Sequence, residues 1–437
     1  MEGAAQAPSI RLFSFREQEV PMTSITAPLT TADGQPLKVS LRRAQRRSRF
    51  RAVALVLPLF LFLAVSFLMP IAEMLLRSVE NPEIVELMPR TTEAIGDWDG
   101  EGLPPEAVFQ AAREDLVAGR LARNIGTVGS RLNYEFSGGR SLITRSSRQA
   151  ERWEAPFKEA MIAADRRWGD PEVWQIIQRE AEPYTLSYYL AALDMAYTPD
   201  GEIVKKPAQQ SIYVDLFWRT IWMSMLITAL TLVLGYPVAY LLATLPLRYS
   251  NLLMILVLLP FWTSLLVRTT TWIAILQTQG VLNDMLVWIG VIGNESRAQM
   301  IYNQTGTIVA MTHILLPFMI LPLYSVMKTI SPAYMRAARS LGAPPFIAYL
   351  RIYLPQTVPG IGAGGILVFI LSIGYYITPA LVGGESGRFI TNFVAYHMQV
   401  SLNWGLAAAI GTILLGAVLI LYWLYNRLIG IDSLKFG

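Results

Sequence analysis

Six long apolar segments constrain this chain more than any other feature of its sequence. They lie at about 52–76, 215–245, 251–278, 303–328, 358–382 and 402–427. A helix of about 20 residues crosses a hydrocarbon core of about 30 Å, and each segment is long enough to do so. Because 53% of the 437 residues are hydrophobic and 16% are charged, a soluble domain could not bury them all. We therefore predict an all-α polytopic membrane protein with six transmembrane helices.

Basic residues predict which side of the membrane the chain ends face. Lys and Arg collect in cytoplasmic flanks, and arginines crowd the residues before the first apolar segment: Arg42, Arg43, Arg46, Arg47, Arg49 and Arg51. Further basic residues fall in the expected inner loops: Arg248, Lys328, Arg336, Arg339 and Arg351. We expect a cytoplasmic amino terminus and, after six crossings, a cytoplasmic carboxyl terminus.

A long polar segment separates the first two spans, at residues 77–212. Helical periodicity and several Trp and Tyr residues predict a compact, mostly helical extracytoplasmic insertion there. A connector that bears Gly and Arg, at about 124–147, would divide it. A partly disordered insertion is the alternative interpretation.

The residue inventory excludes several kinds of site. There is no cysteine, and the two histidines, His313 and His397, lack metal-ligand spacing. His313 is expected to form a hydrogen bond between helices. The spans contain no paired carboxylates and no activated nucleophile, and no lysine follows a phosphate-binding glycine run. We predict no catalytic residue, no metal and no cofactor bound by this chain, so a membrane enzyme is the least expected class of protein.

One short amphipathic helix is predicted between the fourth and fifth spans. Ser331 is a capping residue, Pro332 suits the first helical position, and Gly342 can end the helix. Its apolar residues recur at i, i+3, i+4 and i+7: Tyr334, Ala337, Ala338 and Leu341. The helix is too short to cross the membrane. We interpret it as a docking element on the membrane surface, and an ordinary interfacial helix is the alternative.

The residues in and after this helix resemble the cytoplasmic signature of ATP-binding-cassette importer permeases, which reads E-A-A, three residues, G, then I-x-L-P after a gap. The matching positions are Ala337, Ala338, Gly342, Ile352, Leu354 and Pro355. Further stretches resemble the spermidine/putrescine branch of this family: 235–240, 259–264, 267–272, 313–323, 374–384 and 403–404. The resemblance covers about 213–430 well and 52–76 loosely.

Two departures from the family pattern stand out. Arg336 occupies the acidic first position of the signature, so a contact made by that glutamate in the family is absent or reversed here. The 77–212 segment is also far longer than the loop that most such permeases carry.

The resemblance implies a type I importer permease fold in a bacterial inner membrane. Together with the composition, it predicts these domains: a largely disordered basic cytoplasmic tail at 1–51, the first span at 52–76, the insertion at 77–212, a permease core at 213–430 with its docking loop at 331–355, and a cytoplasmic tail at 431–437. It also implies four partners: a cytoplasmic ATPase dimer that binds ATP and Mg, a second permease subunit, an extracytoplasmic substrate-binding protein and the membrane. No nucleic acid is expected.

Two groups of site residues follow. The residues expected to dock the ATPase are Tyr334, Arg336, Ala337, Ala338, Arg339, Leu341 and Gly342. Aromatic faces bind ammonium groups, and an intramembrane charge such as Arg268 costs about 2.5–3.5 kcal/mol, so it should face the bundle interior or reach toward the interface. The residues expected in the substrate pathway are Trp262, Thr263, Arg268, Thr269, Trp272, Tyr375, Tyr376 and Glu385. An interfacial aromatic belt is the alternative for Trp272 and Tyr376.

The leading prediction is an importer subunit for polyamines or a related small polar cation. An importer of another small solute, such as an opine or an amino-acid derivative, is the alternative within the family. Arg268 and the scarcity of acidic residues in the spans leave an anionic substrate open. A membrane sensor or assembly protein that acts through residues 77–212 is the alternative of another class.

Overall fold

The structure is a computed structural model that describes residues 37–429. It divides into two compact units, the first ending at Ile71 and the second beginning at Ala72. Helices dominate the described residues of both units, and the predicted all-α polytopic class is confirmed.

The amino-terminal span is one helical segment. Helix α1 (Leu37–Leu63) continues through a π-helical turn (Ala64–Leu68) into α2 (Met69–Arg77). Residues 37–51 are therefore helical, which differs from the disordered tail expected over 1–51. Nothing in this stretch interrupts a helix, because it contains neither Gly nor Pro. Residues 1–36 of that tail lie outside the described residues.

Residues 82–182 form a helical unit that we call the insertion lobe. Its helices are α3 (Pro82–Leu87), α4 (Pro89–Gly96), α5 (Glu106–Leu121), α6 (Ile125–Glu135), α7 (Gly139–Gln149), α8 (Phe157–Ala164) and α9 (Pro171–Glu180). They enclose one apolar core around Phe109, Trp168 and Trp174. The Phe109 and Trp174 ring centroids are 4.6 Å apart, and Trp174 Nε1 donates to the Trp168 carbonyl at 2.9 Å. Burying a side chain of this size contributes about 1.5–3 kcal/mol.

The expected connector at about 124–147 is instead a pair of packed helices, α6 and α7. Gly129 of α6 lies against α7, where an added Cβ would be 3.2 Å from Arg140 Cα and 3.4 Å from Ile143 Cβ. The glycine therefore permits a close approach of two helices. The connector prediction was wrong because Gly129 lies at a contact between two helices and not in a connection between them.

A buried ion network joins α6 to α9. Arg131 donates to Glu180, and their side chains are 1% and 0% exposed. Arg131 Nε also donates to Asn81 Oδ1 at 2.7 Å, while Glu135 accepts from Arg131 at 2.7 Å and from Arg179 at 2.8 Å. Burial raises the pKa of Glu180, and the charges of Arg131 and Arg179 oppose that rise. Each buried charge thus has an opposite partner, which fixes how the two helices sit together.

The chain enters and leaves the lobe side by side. The Asn81 N–H donates to the Pro183 carbonyl at 2.9 Å, and the Thr185 N–H donates to the Val79 carbonyl at 2.7 Å. After the lobe come α10 (Ser187–Ala192) and a two-stranded antiparallel hairpin of β1 (Met195–Tyr197) and β2 (Ile203–Lys205), with Met195 opposite Lys205.

Two contacts attach this region to the membrane helices. Tyr188 of α10 packs so closely on Gly405 that a side chain at position 405 would collide with the tyrosine ring. Both carboxylate oxygens of Asp194 accept from backbone N–H groups at the start of the next helix: Ile212 at 2.9 Å, Tyr213 at 3.0 Å and Val214 at 2.8 Å. These bonds satisfy donors that a helix start leaves unpaired.

The rest of the second unit is a helical bundle. Its helices are α11 (Tyr213–Thr244), α12 (Leu247–Leu258), α13 (Leu265–Leu276), α14 (Val281–Trp288), α15 (Gln304–Thr329), α16 (Pro332–Ser340), α17 (Pro345–Ala348), α18 (Leu354–Gly374), α19 (Ile377–Val382), α20 (Ile390–Gln399) and α21 (Trp404–Ile429). Within the described residues, five continuous segments are long and apolar enough to cross a membrane, and one bent pair would make a sixth.

The third span is broken. Segments Leu247–Trp262 and Leu265–Trp288 meet at an angle of 97°, whereas the sequence predicts one continuous span at 251–278. Pro260 has no N–H to donate near the end of the first half. Ser264 Oγ then accepts from the Val267 N–H at 3.2 Å and caps the second half.

The fifth span is shifted toward the amino terminus. It runs over Pro345–Gly374 through a π-helical turn at Tyr349–Tyr353, rather than over 358–382. The amphipathic stretch before it is continuous with the span, so the second half of the predicted loop at 331–355 belongs to the same long helix. The helix ends at Gly374, and the short helix α19 begins at Ile377.

Helix α15 lies at the centre of the bundle. In its most apolar stretch 61% of the residues are buried, against 28% in α11 and in α21. Two glycines of α18 allow that helix to lie close to α15. An added Cβ at Gly360 would be 3.2 Å from Leu323 Cα, and one at Gly364 would be 2.8 Å from Met319 Sδ. Small residues at such crossings are typical of membrane helix packing.

Candidate functional site

Helix α16 has both of the ends that the sequence predicts. Ser331 Oγ accepts from the Ala333 N–H at 3.3 Å. At the other end Gly342 has a φ of +86°, the Gly342 N–H donates to the Arg339 carbonyl at 3.0 Å, and the Ala343 N–H donates to the Ala338 carbonyl at 3.1 Å. This pair of bonds with a left-handed glycine is a Schellman motif, which gives the helix a fixed end.

Most of α16 faces away from the rest of the chain. Tyr334 is 55% exposed and Leu341 is 89% exposed, and Arg336, Ala337, Arg339 and Gly342 are exposed as well. Ala338 is partly buried, and Met335 packs on the core of the bundle. The predicted docking residues thus form a surface that this chain leaves largely uncovered.

Aromatic residues connect the neighbourhood of α16 to the spans. Tyr349 and Tyr353 stack in the π-helical turn, with ring centroids 5.5 Å apart. Tyr240 of α11 meets both rings edge-on, at 5.7 and 5.4 Å. Tyr236 of α11 shares a hydrogen bond of 3.1 Å with Thr357 of α18. A displacement of the segment after α16 would therefore act directly on the second and fifth spans.

The residues predicted for the substrate pathway fall into three places. Trp262 and Thr263 lie at the break of the third span, where Trp262 is 77% exposed. Arg268, Thr269 and Trp272 lie on α13, beyond the break. The remaining three residues, Tyr375, Tyr376 and Glu385, lie at and after the break that ends the fifth span.

The structure brings four of these residues together in a polar cluster within the bundle. Thr269 Oγ1 and Thr378 Oγ1 share a buried hydrogen bond of 3.2 Å. Trp272 Nε1 donates to His313 Nδ1 of α15 at 3.2 Å, which is the expected hydrogen bond between helices. Arg268 lies one turn before Trp272 on α13, close to His313 and Tyr375.

Polar side chains of α20 support the break that ends the fifth span. Thr391 Oγ1 donates to the Tyr375 carbonyl at 2.8 Å, and Asn392 Nδ2 donates to the Tyr376 carbonyl at 2.6 Å. Non-helical backbone at membrane depth needs such partners. Tyr376 itself is exposed and stands apart from the polar cluster.

Glu385 lies in a tight glycine loop. Gly384 has a φ of +54° and packs on the Tyr302 backbone. Thr307 Oγ1 donates to the Gly387 carbonyl at 3.0 Å, and Arg219 of α11 donates to the Glu385 carbonyl at 3.0 Å. The loop is held from two sides, while the Glu385 residue remains exposed.

Sequence reasoning missed four residues whose side chains form hydrogen bonds to the predicted pathway residues: Arg219, Thr378, Thr391 and Asn392. Each contacts a group that is far away in the sequence, so no local pattern identifies it. Arg219 carried one usable signal, because an arginine in an apolar span needs a partner, and Asp215 lies one turn before it.

Comparison with known proteins places the chain among transport proteins. Residues 232–429 match the family model described as "Binding-protein-dependent transport system inner membrane component". The chain is 36% identical over 221 residues to the spermidine/putrescine transport system permease protein PotB of Salmonella typhimurium strain SL1344, covering 50% of this chain and 76% of that protein. It is also 36% identical over 221 residues to PotB of Escherichia coli strain K12, covering 50% of this chain and 80% of that protein.

Other similarities are weaker. The inner membrane ABC transporter permease protein YdcU of Escherichia coli strain K12 is 31% identical over 212 residues, covering 45% of this chain and 65% of YdcU. A crystal structure of a bacterial ABC transporter involved in alginate import matches with a TM-score of 0.41 and 21% identity, covering 51% of this chain and 81% of that chain.

Proposed function

Because this chain belongs to the family of binding-protein-dependent transport system inner membrane components, we propose that it moves polyamines across the inner membrane. The coarser statement is established: the chain is an inner-membrane permease subunit of an ATP-binding-cassette importer and is not itself an enzyme. The solute, the partners and the orientation are what we propose here.

The main support for a polyamine solute is the similarity to the PotB proteins, which are spermidine/putrescine permeases. The shared 221 residues amount to more than three quarters of each of those relatives. Aromatic residues near the breaks of the third and fifth spans, among them Trp272 and Tyr375, suit ammonium groups. Glu385 would attract a cation at the outer mouth.

The exposed surface of α16 supports a separate ATPase pair as the source of energy. We assign docking to Tyr334, Ala337, Leu341 and the residues beside them. Closure of the ATPases on ATP would move α16, and the tyrosines at positions 349 and 353 would pass that movement to α11 and α18. A second permease subunit would move in the same way. The solute pathway between the two subunits would then open alternately to the two sides of the membrane.

The orientation follows from the charges beside the spans. Basic residues flank the amino-terminal span and α16, so we place both on the cytoplasmic side together with the carboxyl terminus. The insertion lobe then lies outside the cytoplasm, on the side from which a binding protein would deliver the solute.

Transport by a reconstituted complex tests the proposal. The chain would be purified with its co-expressed ATPase, second permease and binding protein and placed in liposomes with ATP inside. We expect ATP-dependent uptake of radiolabelled putrescine and spermidine, and none of sulfate. An active complex that moves sulfate and neither polyamine would contradict the proposed solute. A complex whose ATPase cannot hydrolyse ATP is the control.

A further inference from the structure

Arg268 is a cation without a partner in the part of the chain that the structure describes. Its Nε is buried and makes no hydrogen bond. Arg219 and Arg297, two other arginines of this bundle, are paired with Asp215 and Asp284 at 2.5 and 2.7 Å. Arg268 therefore lacks the acidic partner that these two arginines have, although it lies on a membrane helix, where an unpaired charge is least favourable.

The groups around Arg268 carry no negative charge. The His313 Nδ1 accepts from Trp272 and so has no proton of its own, which leaves the imidazole neutral in this arrangement. Tyr375 and the Thr269–Thr378 pair are neutral hydrogen-bonding groups. The helices that build the cluster, α13, α15, α18 and α19, contain no Asp or Glu. The polar cluster thus offers a guanidinium and several neutral partners, but no counter-ion.

We infer that Arg268 binds a carboxylate that comes from outside this chain. A guanidinium presents a planar fork of donors that matches a carboxylate with two parallel hydrogen bonds. The carboxylate can come from two sources: an amino-acid-like solute whose ammonium group lies against Trp272 or Tyr375, or an Asp or Glu side chain of the second permease subunit. This inference rests on the proposed function as a solute importer. A carboxylate on the solute would extend that function from polyamines, which carry none, to an amino-acid-like diamine.

Putrescine and ornithine distinguish the two sources, since ornithine is putrescine with one added carboxylate. Both would be tested as solutes of the reconstituted complex, with wild type, Arg268→Gln and Arg268→Lys. Thr270→Val is the matched control, because Thr270 is an exposed residue of the same helix whose hydroxyl bonds only to the Val267 carbonyl. Co-purification of the second permease with each variant would be measured in parallel.

If the solute supplies the carboxylate, Arg268→Gln should lower ornithine uptake by about tenfold or more relative to putrescine uptake. If the second permease supplies it, the same variant should lower uptake of both solutes and weaken co-purification. Arg268→Lys keeps the charge and should retain part of whichever function is lost.

Normal uptake of both solutes by Arg268→Gln, together with normal co-purification, would overturn the inference. A wild-type complex that moves neither solute would instead count against the proposed function. The co-purification measurement would then decide about Arg268 alone: weaker binding of the second permease supports the inference, and unchanged binding overturns it.

Discussion

At the scale of single residues, two arginines with buried guanidinium nitrogens differ in whether the chain supplies a partner. Arg131 in the insertion lobe is enclosed by Glu180, Glu135 and Asn81, so its charge and hydrogen-bonding capacity are matched within the chain. Arg268 in the membrane has no such partners among the described residues. The first arrangement specifies a structure, and the second is typical of a residue that acts on something else.

Replacing Arg131 tests the structural role. Arg131→Met leaves Glu180 buried without its main counter-ion and should lower the free energy of unfolding of the lobe by about 3–5 kcal/mol. Thermal unfolding of the detergent-solubilised full chain, followed by tryptophan fluorescence, would measure it. The double variant Arg131→Met, Glu180→Leu removes both charges and should recover much of the loss. Equal stability of the wild type and the single variant would contradict this account.

At the scale of elements, α16 is defined by its ends more than by its length. The Ser331 cap, the left-handed Gly342 and the two bonds after it set where the helix starts and stops. These features place Leu341 at the exposed end of the helix, and they set the path by which the chain enters the fifth span.

Gly342→Val tests whether that fixed end matters for transport. A β-branched residue with a φ of +86° is strained by about 1–2 kcal/mol, so the end of α16 should rearrange. We expect normal membrane insertion and continued ATP hydrolysis. The amount of solute taken up per ATP hydrolysed should fall by about tenfold or more, which corresponds to about 1.4 kcal/mol of coupling free energy.

The control for this variant is Gly416→Val. Gly416 lies in α21, where an added Cβ would meet nothing within 4 Å, so this change should leave uptake per ATP unchanged. If Gly342→Val takes up as much solute per ATP as the control, the fixed end of α16 does not couple ATP hydrolysis to transport.

The elements also show how far the sequence alone leads. The ends of α16 were predictable because a capping serine, a first-position proline and a stopping glycine act within a few residues. The 97° bend of the third span could not be predicted in this way. Its residues are apolar on both sides of the bend, and hydropathy does not indicate where a helix changes direction. The Arg131–Glu180 pair joins residues 49 positions apart. The contacts of Arg219, Thr391 and Asn392 span 166, 16 and 16 positions, which also exceeds the reach of a local pattern.

At the scale of the whole molecule, the insertion lobe is an appendage joined to the rest through its chain ends and a few side-chain contacts. In one of them the Tyr134 hydroxyl donates to the Ser401 carbonyl at 3.0 Å. Its apolar core is drawn from residues 84–181, and its chain ends lie together where Asn81 contacts Pro183 at 2.9 Å. The contacts that hold the neighbouring segment to the bundle, made by Tyr188 and Asp194, come after the lobe. The lobe can therefore be removed without cutting into the membrane helices.

Removing residues 82–182 and joining Asn81 to Pro183 through a short glycine linker tests what the lobe does. We expect normal membrane insertion and basal ATPase activity of the complex, and loss of the stimulation that the binding protein provides. The measurement is ATP hydrolysis with and without binding protein and solute. Full stimulation of the shortened complex would rule out a role of the lobe in receiving the binding protein.

The central claim is that an ATPase drives this bundle through the exposed surface of α16. Because the chain contains no cysteine, a single cysteine at Leu341, which is 89% exposed, can carry a short cross-linker and report on that position alone. In an actively transporting complex, the account predicts a cross-link to the ATPase that changes in yield when ATP is added. An active complex in which position 341 never cross-links to the ATPase would contradict it.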